Sequence, residues 1–290
     1  MTNPMITRDE VIERSHTLPS FPLVIRHILA TLDDPDANTE MLAGHIQHDP
    51  VIAARVLSLA NVAAAGNRRQ SEVSNIFTAT SLIGLNRVRE MALLSGVGGF
   101  VGNFAPPEVA ATFWQHSVAV GVCSEELARS GSTSGLSSSA ALIAGLLHDV
   151  GQLWFYRFNS EAFRIAWSEA LTQRVGIEEA EREQFGVDHS TVGAWLAEYW
   201  SLPANITAAI NHHHAPDAAL SEPLVPLIHV AEVLSNALDL TSRAENRVTS
   251  ISSAACQALG LTWNDEIRPL FGRMEARSRH ANALFQPPAD

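Results

Sequence analysis

The chain contains 290 residues, of which 46% are hydrophobic and 17% are charged, a composition typical of a protein that folds around a substantial core. Its 19 basic residues are all arginine and stand against 31 acidic residues, which gives a formal net charge of −12. This acidic balance disfavours binding to nucleic acid or to an anionic membrane, because both need a basic surface. Two cysteines are too few for a disulfide framework, so a reducing compartment is expected.

No stretch of the sequence predicts a membrane span or a secretion signal. The most apolar run, Ala140–Leu147, has only eight residues, whereas a bilayer needs roughly 20. Met1–Glu13 carries polar and acidic residues where a signal peptide would be apolar. A soluble cytoplasmic protein is therefore expected.

Helical periodicity runs through nearly the whole chain, whereas alternating runs of β-branched residues are scarce, so the predicted fold class is all-α. Asp49 and Pro50 predict a helix start, because Asp is a favoured N-cap and Pro is favoured at the first helical position. In the first part of the chain, helices are predicted at about 23–32, 39–47, from 50 onward, 76–82 and 87–94.

The segment 96–107 contains four Gly and two Pro and is the best candidate boundary between two lobes. Beyond it, Asp188 predicts an N-cap for a helix that begins at His189. Helices are predicted there at about 107–128, 140–147, 161–174, 178–184, 189–199, 204–212 and 224–238, with two more within 250–284. The predicted organisation is an N-terminal helical lobe (1–100), a second helical lobe (101–240) and a C-terminal helical extension (241–290).

The second lobe concentrates histidines in a pattern that favours metal binding. His148 and Asp149 follow an apolar helix as an adjacent pair, with His116 before them and His189 after them. The two oxygens of the Asp149 carboxylate can bridge two cations, while the neighbouring imidazole ligates one of them. Imidazole with carboxylate suits Fe, Mn, Zn or Ni, and two such ions about 3.5–4 Å apart can clamp a phosphoryl group.

Each histidine taken alone has a plainer interpretation. His116 fits a hydrogen-bonded core residue, and His189 fits a first-turn helix residue. The run 212–214 lies at a predicted helix end, where the helix dipole favours a partly positive side chain. A second His-Asp pair, His48-Asp49, is interpreted as a helix cap. Four other histidines are interpreted as structural or surface residues: His16, His27, His45 and His280.

The second lobe resembles the HD superfamily of metal-dependent phosphohydrolases, whose pattern is His, then His-Asp, then a distal Asp. The run Leu146–Gly151 is similar to the central motif of that superfamily. An expanded form of the pattern, found in the HD-GYP cyclic-di-GMP phosphodiesterases, adds a His and a His-His pair. His189 and the pair at 213–214 match these additions.

The chain as a whole resembles a narrower family, the HDOD domain, which is a signalling output domain related to HD. Leu18–Pro22 is similar to the opening of that family. Ile46–Pro50 and Leu57–Asn61 are similar to its Asp-Pro dipeptide and to its leucine-rich helix ending in Ala-Asn, and Ala79–Leu85 is similar to the next segment. The resemblance covers about residues 15–240. It implies a two-lobed helical architecture with an HD-type helical bundle as the second lobe.

The resemblance also implies a centre of two divalent transition-metal ions, Fe, Mn, Zn or Ni. The implied ligands are His116, His148, Asp149, His189, His213, His214 and Glu232. In an enzyme of this kind, Asp149 would be the catalytic residue and would bridge the ions. The first two histidines and Glu232 would hold one ion, and the last three histidines would hold the other.

The identity of the distal carboxylate stays open at this point. Glu232 stands in the helix after the His-His pair, where the superfamily has Asp, and its extra methylene displaces the carboxylate oxygens. Asp239, two turns further along the predicted helix, and His229, one turn before Glu232, are the alternatives.

Three departures from the HD-GYP pattern disfavour hydrolysis of cyclic-di-GMP. Gln152 replaces the Lys that follows His-Asp-x-Gly in many of these enzymes, which removes a cation able to support phosphate charge. Thr112 stands one turn before His116, where a trinuclear HD-GYP site carries Glu. The sequence Asp-Gly-x-Gly-Tyr-Pro is absent after His214.

Two functions are therefore weighed. The first is an HDOD-type signal-transduction output or regulatory module that retains the two-ion centre and whose partners are signalling proteins or a phosphorylated small molecule. The alternative is a metal-dependent phosphohydrolase acting on a nucleotide or another phosphoester. The regulatory role ranks first, because the Lys and the distal Asp of the enzymes are both replaced. Neither nucleic acid nor a membrane is expected as a partner.

Overall fold

The structure of the protein, a computed structural model, describes residues 5–31, 39–65, 73–130, 136–241, 250–264 and 267–283. Within these ranges the regular secondary structure is helical, without a β-strand, so the predicted all-α fold class is confirmed. No helix in the same ranges has both the length and the apolar character that crossing a membrane requires.

Contacts divide the chain into two compact units. The smaller unit is Ser20–Phe100, and the larger unit consists of the chain up to Pro19 and from Val101 onward. In the smaller unit, Asp49 Oδ1 accepts the backbone N–H groups at 51 and 52, both at 3.0 Å, which confirms its predicted capping role. The helices that begin in the smaller unit are α2 (Leu23–Ala30), α3 (Thr39–Ile46), α4 (Pro50–Ala65), α5 (Ile76–Ile83) and α6 (Leu85–Gly102).

The larger unit holds the remaining described helices and a 3-10 turn at Pro216–Ala218. These helices are α1 (Arg8–Ser15), α7 (Pro107–Arg129), α8 (Ser138–Leu147), α9 (Val150–Gln173), α10 (Ile177–Phe185), α11 (His189–Tyr199), α12 (Ala204–His212), α13 (Leu224–Ala237), α14 (Ser253–Ala258) and α15 (Arg268–Ala283).

The larger unit joins segments that the sequence analysis assigned to three separate regions. α1 packs against α11, and the backbone N–H of Ile6 donates to the carbonyl oxygen of Phe185 at 2.9 Å. α15 packs against α7. The N-terminal residues and the C-terminal extension therefore pack with the lobe that carries the histidine cluster.

Two helices are longer than predicted. α6 continues through the glycines of the candidate boundary to Gly102. α9 begins directly after Asp149, whereas the predicted helix begins at 161. Residues 150–155 are all buried, so the first six residues of α9 have no exposed face and show no amphipathic pattern. The helix kinks at Asn159, where φ is −142° and ψ is 38°.

Glycines allow two helix pairs to approach very closely around the histidine cluster. α7 and α8 meet at Gly121 and Gly145, where a Cβ on Gly145 would lie 2.7 Å from the Cα of Gly121. α9 and α11 meet at Gly151, where a Cβ would lie 2.0 Å from the carbonyl oxygen of His189. Backbones in such close contact fix the relative positions of the helix ends on which the site is built.

Ion pairs between two arginines and two buried carboxylates anchor the C-terminal helix α15 to α7. Glu125 and Glu126 of α7 are only 2% and 4% exposed. Arg277 donates to both carboxylates, at 2.7 Å to Glu126, and Arg273 donates to Glu126 at 2.8 Å. Burial alone would raise the pKa of Glu126, but the hydrogen bonds and charges of the two arginines outweigh it and lower that pKa.

We expect Arg277→Ala to lower the free energy of unfolding by about 2–3 kcal/mol at pH 7, because it leaves two buried carboxylates short of a donor. The cost is below that of a fully buried pair, since the Arg277 side chain is 21% exposed. Urea denaturation measures the change. Arg279→Ala, on the exposed face of the same helix, is the matched control and should change the free energy by less than about 0.5 kcal/mol.

The same comparison across pH tests the role of Glu126. A carboxyl group whose pKa is lowered by folding stabilises the protein above its unfolded pKa of about 4.3, and that stabilisation is lost as the pH falls through the folded value. The difference between parent and Arg277→Ala should therefore shrink below about pH 4. A difference that stays constant from pH 7 to pH 3 would exclude the ion pairs as its source.

Candidate metal centre

Four of the seven predicted ligands lie at helix ends. His148 is the C-cap of α8, and Asp149 is the N-cap of α9. His189 is the first residue of α11, and the predicted N-cap of that helix, Asp188, is confirmed by its hydrogen bond to the first turn. His213 directly follows the last residue of α12. Polar side chains therefore meet where four helices begin or end.

The other three predicted ligands come from neighbouring parts of the same unit. His116 lies in the middle of α7 and is buried, although most of that helix is apolar. His214 follows His213 at the end of α12, and Glu232 lies in the middle of α13. The structure thus places all seven residues around one point.

Asp149 occupies the centre of the cluster. Its Oδ1 lies 3.1 Å from Nε2 of His189, 3.5 Å from Nε2 of His148 and 3.7 Å from Nε2 of His213. Its Oδ2 lies 3.4 Å from Nε2 of His116. Both carboxylate oxygens face imidazole nitrogens, which is the arrangement that a carboxylate bridging two cations requires.

Hydrogen bonds at Nδ1 orient two of these imidazoles. Nδ1 of His148 lies 2.8 Å from the carbonyl oxygen of Gly145, and Nδ1 of His213 lies 2.7 Å from that of Ile210. A carbonyl oxygen only accepts, so Nδ1 carries the proton in both rings, and the lone pair of Nε2 is directed at Asp149. Outer hydrogen bonds of this kind orient histidines that ligate metals.

His189 is oriented by a carboxylate instead. Glu181 Oε2 accepts from Nδ1 of His189 at 2.6 Å and from its backbone N–H at 2.7 Å, and both side chains are fully buried. Burial lowers the pKa of His189, but the carboxylates of Glu181 and Asp149 outweigh it and raise that pKa well above its ordinary value. Burial raises the pKa of Glu181 despite the contact with His189.

The donor set fits divalent metal ions. Nε2 of His189 lies 3.3 Å from Nε2 of His213 and 3.0 Å from Nε2 of His214, so their lone pairs repel unless a proton or a cation lies between them. Nε2 of His148 and Oδ1 of Asp149 are buried and lack a hydrogen-bond partner among the described residues. Buried polar atoms are normally paired, and a bound cation would satisfy both.

The donor atoms form overlapping groups in which all atoms lie within 4.8 Å of one another. Two groups share Asp149, which favours two adjacent ion sites. Glu232 forms a group with His148 and His213, whereas the predicted division placed it with His116 and His148. The three groups are Asp149 with His189, His213 and His214; His116 with His148 and Asp149; and His148 with His213 and Glu232.

Two imidazoles of the cluster, those of His148 and His214, and the carboxylate of Asp149 have pKa values below their ordinary ones. Burial lowers the pKa of His148 to about 4, and burial with two neighbouring imidazoles lowers the pKa of His214 well below its ordinary value. Burial opposes ionisation of Asp149, but the surrounding imidazoles outweigh it and hold its pKa well below the ordinary value. Burial raises the pKa of Glu232 to about 7. Unprotonated nitrogens and an anionic oxygen are the forms that bind metal.

The two alternatives for the distal ligand lie outside the donor groups. Nδ1 of His229 donates to the carbonyl oxygen of His213 at 2.7 Å, and its Nε2 accepts the backbone N–H of Ser252 at 3.0 Å, so both ring nitrogens are occupied. The prediction that Asp239 continues the helix face is wrong, because α13 ends before it. Asp239 is exposed, with a left-handed φ of 52°. Glu232 is the carboxylate of α13 that joins the cluster.

Glu181 was not among the predicted site residues, although the sequence contains a signal for it. The buried residues of α10 are Ala180, Glu181 and Phe185. Glu181 thus stands on the apolar stripe of an amphipathic helix, where a charged residue is rare unless it has a partner. A carboxylate at such a position indicates a buried polar contact.

A cavity of about 140 Å³ opens onto one side of the cluster. Its wall includes four of the predicted ligands, so a small molecule in the cavity would reach the donor atoms directly. Gln152, at the position of the Lys in many HD-GYP enzymes, also lines it. The remaining wall combines apolar and polar side chains, among them Trp167, Ile177, Val233, Glu178 and Asn236.

The sequence profile of the HDOD domain family matches residues 18–216. A curated relative, an uncharacterized protein of Treponema pallidum (strain Nichols), is 24% identical over 241 residues. That match covers 79% of this chain but 44% of the relative, so the chain spans less than half the length of that protein.

Several solved structures share the fold. An HDOD domain protein with unknown function from Geobacter sulfurreducens is 24% identical with a TM-score of 0.77, over 97% of this chain and 99% of that one. A candidate signal transduction protein from Marinobacter aquaeolei VT8 is 23% identical with a TM-score of 0.73, over 95% of this chain and 61% of that one. A candidate phosphohydrolase from Shewanella amazonensis SB2B is 22% identical with a TM-score of 0.71, over 95% and 98%. Because the family profile matches well over half of its length, this chain belongs to the HDOD domain family.

Proposed function

We propose that the protein is an HDOD-type signal-transduction output module whose second lobe binds two divalent transition-metal ions, Fe, Mn, Zn or Ni. The observation that carries this proposal is the convergence of four imidazole Nε2 atoms on the two oxygens of Asp149. The group of Asp149, His189, His213 and His214 would hold one ion, and His116 and His148 would hold the other with the same aspartate. When bound, the ions supply positive charge that can hold a phosphoryl group.

The regulatory role is supported by two residues, Gln152 and Thr112, that stand where HD-GYP enzymes carry charged residues. Gln152, an uncharged residue, lines the cavity at the position where many HD-GYP enzymes carry Lys. Thr112 is exposed on α7 and provides no carboxylate for a third ion. A chain that keeps the metal-ligating residues but lacks these groups is better suited to binding than to rapid turnover. The proposed partners are signalling proteins or a phosphorylated small molecule that enters the cavity.

Metal reconstitution tests the proposed centre. The purified protein would be stripped with a chelator, reconstituted separately with Fe, Mn, Zn and Ni, desalted and subjected to elemental analysis. We expect about two ions per chain with at least one of these metals. Failure to retain any of the four would overturn the metal centre and leave the histidines without a ligating role.

A metal-dependent phosphohydrolase is the second candidate, and the cavity is the observation that favours it. The cavity reaches Asp149, which would position the ions at a phosphoryl group, and Glu232, whose carboxyl group can hold a proton near neutral pH. The test is hydrolysis of bis(p-nitrophenyl) phosphate and p-nitrophenyl phosphate by the reconstituted protein. Metal-dependent turnover that Asp149→Asn abolishes would favour the hydrolase, and its absence would favour the signalling module.

Cyclic-di-GMP is expected to be hydrolysed very slowly or not at all. Gln152 provides no positive charge to a leaving group, and the Gly-Tyr-Pro segment of the active phosphodiesterases is absent. The measurement is chromatography of cyclic-di-GMP incubated with the reconstituted protein under reducing conditions. Gln152→Lys is the informative companion variant, because gain of turnover would identify the missing cation as the cause. Rapid turnover by the parent would contradict the prediction.

A further inference from the structure

We propose that Glu181 is a positioning residue for the metal centre. It fixes the tautomer and the direction of His189 and thereby sets the affinity for the ion that His189 ligates. This inference rests on the proposed two-ion centre and adds to it a residue on α10 outside the implied set of ligands.

The geometry restrains His189 at two points. A single oxygen of Glu181 accepts both the ring Nδ1–H, at 2.6 Å, and the backbone N–H, at 2.7 Å, of His189. The backbone bond satisfies one of the N–H groups that every helix start leaves without an intrahelical partner. The ring bond leaves Nε2 of the imidazole directed at Asp149, 3.1 Å from its Oδ1.

Glu181 differs in charge from the groups that orient the other two histidines. His148 and His213 donate to the backbone carbonyl groups of Gly145 and Ile210, which are neutral. A carboxylate is a stronger acceptor than a carbonyl and makes the imidazole a more basic ligand. Of these three rings, His189 is the one whose ligand strength depends on a side chain.

Stability alone is a poor explanation for a glutamate at this position. The side chain is fully buried, and its second oxygen, Oε1, has no hydrogen-bond partner among the described residues. Burying a carboxylate with one oxygen unpaired is unfavourable. An apolar side chain would fill the same place on the stripe between Ala180 and Phe185 without that cost. The contact with His189 is the gain that offsets it.

Glu181 is expected to act on one of the two ions. His189 belongs to the donor group of Asp149, His213 and His214 and is absent from the group of His116, His148 and Asp149. Removing the charge of Glu181 should therefore weaken the binding of one ion much more than the binding of the other.

The test compares Glu181→Gln with the parent in a competitive titration of Zn²⁺ or Mn²⁺ alone against a chromophoric chelator. Gln preserves the size of the side chain and an acceptor oxygen but removes the charge. Loss of an outer partner of a metal-ligating histidine typically weakens binding by 10–100-fold. We expect a loss of that size for one ion and a change of less than about threefold for the other. Glu183→Gln, exposed on the same helix, is the matched control and should bind like the parent.

Thermal unfolding of the metal-free proteins separates positioning from a structural role. If Glu181 acts only on the fold, Glu181→Gln will change the unfolding temperature, but the folded variant will bind both ions with parental affinity. That result would overturn the proposal. If the Gln variant does not fold, Glu181→Asp takes its place, because it keeps the charge but withdraws it from His189. This variant should also weaken the binding of one ion. A parent that binds no metal would instead overturn the two-ion centre itself.

Discussion

Asp149→Ala is expected to lose both metal ions, whereas Glu232→Ala is expected to retain at least one. The oxygens of Asp149 face four imidazoles, and this residue belongs to both groups that would each hold an ion. Its loss removes the shared anion that offsets repulsion between two divalent cations. Affinity should fall by more than about 100-fold, since even outer partners of ligands are worth 10–100-fold.

Elemental analysis of the reconstituted variants, together with circular dichroism, measures this prediction. Asp149→Asn serves as a second variant that keeps the side-chain volume and removes the charge. Glu232 joins one group with His148 and His213, so its removal leaves the two groups that contain Asp149 intact. Folded Asp149→Ala with parental metal content would exclude the bridge. A greater loss in Glu232→Ala would make the carboxylate of α13 the principal anchor.

Gly151→Ala is expected to destabilise the protein by about 3 kcal/mol or more, at the upper end of the range for overpacking. The added Cβ would lie 2.0 Å from the carbonyl oxygen of His189 and 2.8 Å from the backbone nitrogen of Gly193. Both atoms belong to the backbone of α11, so no side-chain rotation relieves the overlap, and α9 and α11 must separate. Because the two helices carry Asp149 and His189, metal content should fall together with stability.

The matched control for this substitution is Gly99→Ala. Gly99 lies inside α6, and a Cβ there would meet no atom within 4 Å. Alanine is a better helix former than glycine, so this change should raise the free energy of unfolding by about 0.5–1 kcal/mol. Urea denaturation of both variants measures the two opposite effects. Gly151→Ala with parental stability and metal content would exclude the close contact of α9 and α11 as a determinant of the site.

Two helix starts could be predicted from the sequence, because a capping side chain acts on the backbone beside it. Asp49 and Asp188 cap α4 and α11 as their sequence context predicts. The start of α9 was not predicted, since its first six residues are buried on every side, which removes the amphipathic period on which sequence reasoning depends. The continuation of α6 through its glycines depends on packing, as at Gly96 against Ile25, which local propensity does not contain.

The seven candidate ligands could be named from the sequence, because each is a histidine or an acid at a motif position. Their grouping could not be named, since it depends on where α13 approaches the cluster: Glu232 lies with His148 and His213. Glu181 escaped notice for a related reason. Its partner His189 is eight residues away across a helix junction, and no motif records that contact. Contacts between helices, rather than residue types, are what the sequence pattern left undetermined.

X-ray absorption spectroscopy at the metal edge of the reconstituted protein tests the central claim most directly, because it measures ligand type and the distance between ions together. Two ions bridged by Asp149 predict nitrogen and oxygen ligands, several of them imidazoles, and a metal–metal separation of about 3.5–4 Å that disappears in Asp149→Asn. A spectrum without a metal–metal contribution, or one unchanged by Asp149→Asn, would contradict a centre of two ions built on this aspartate.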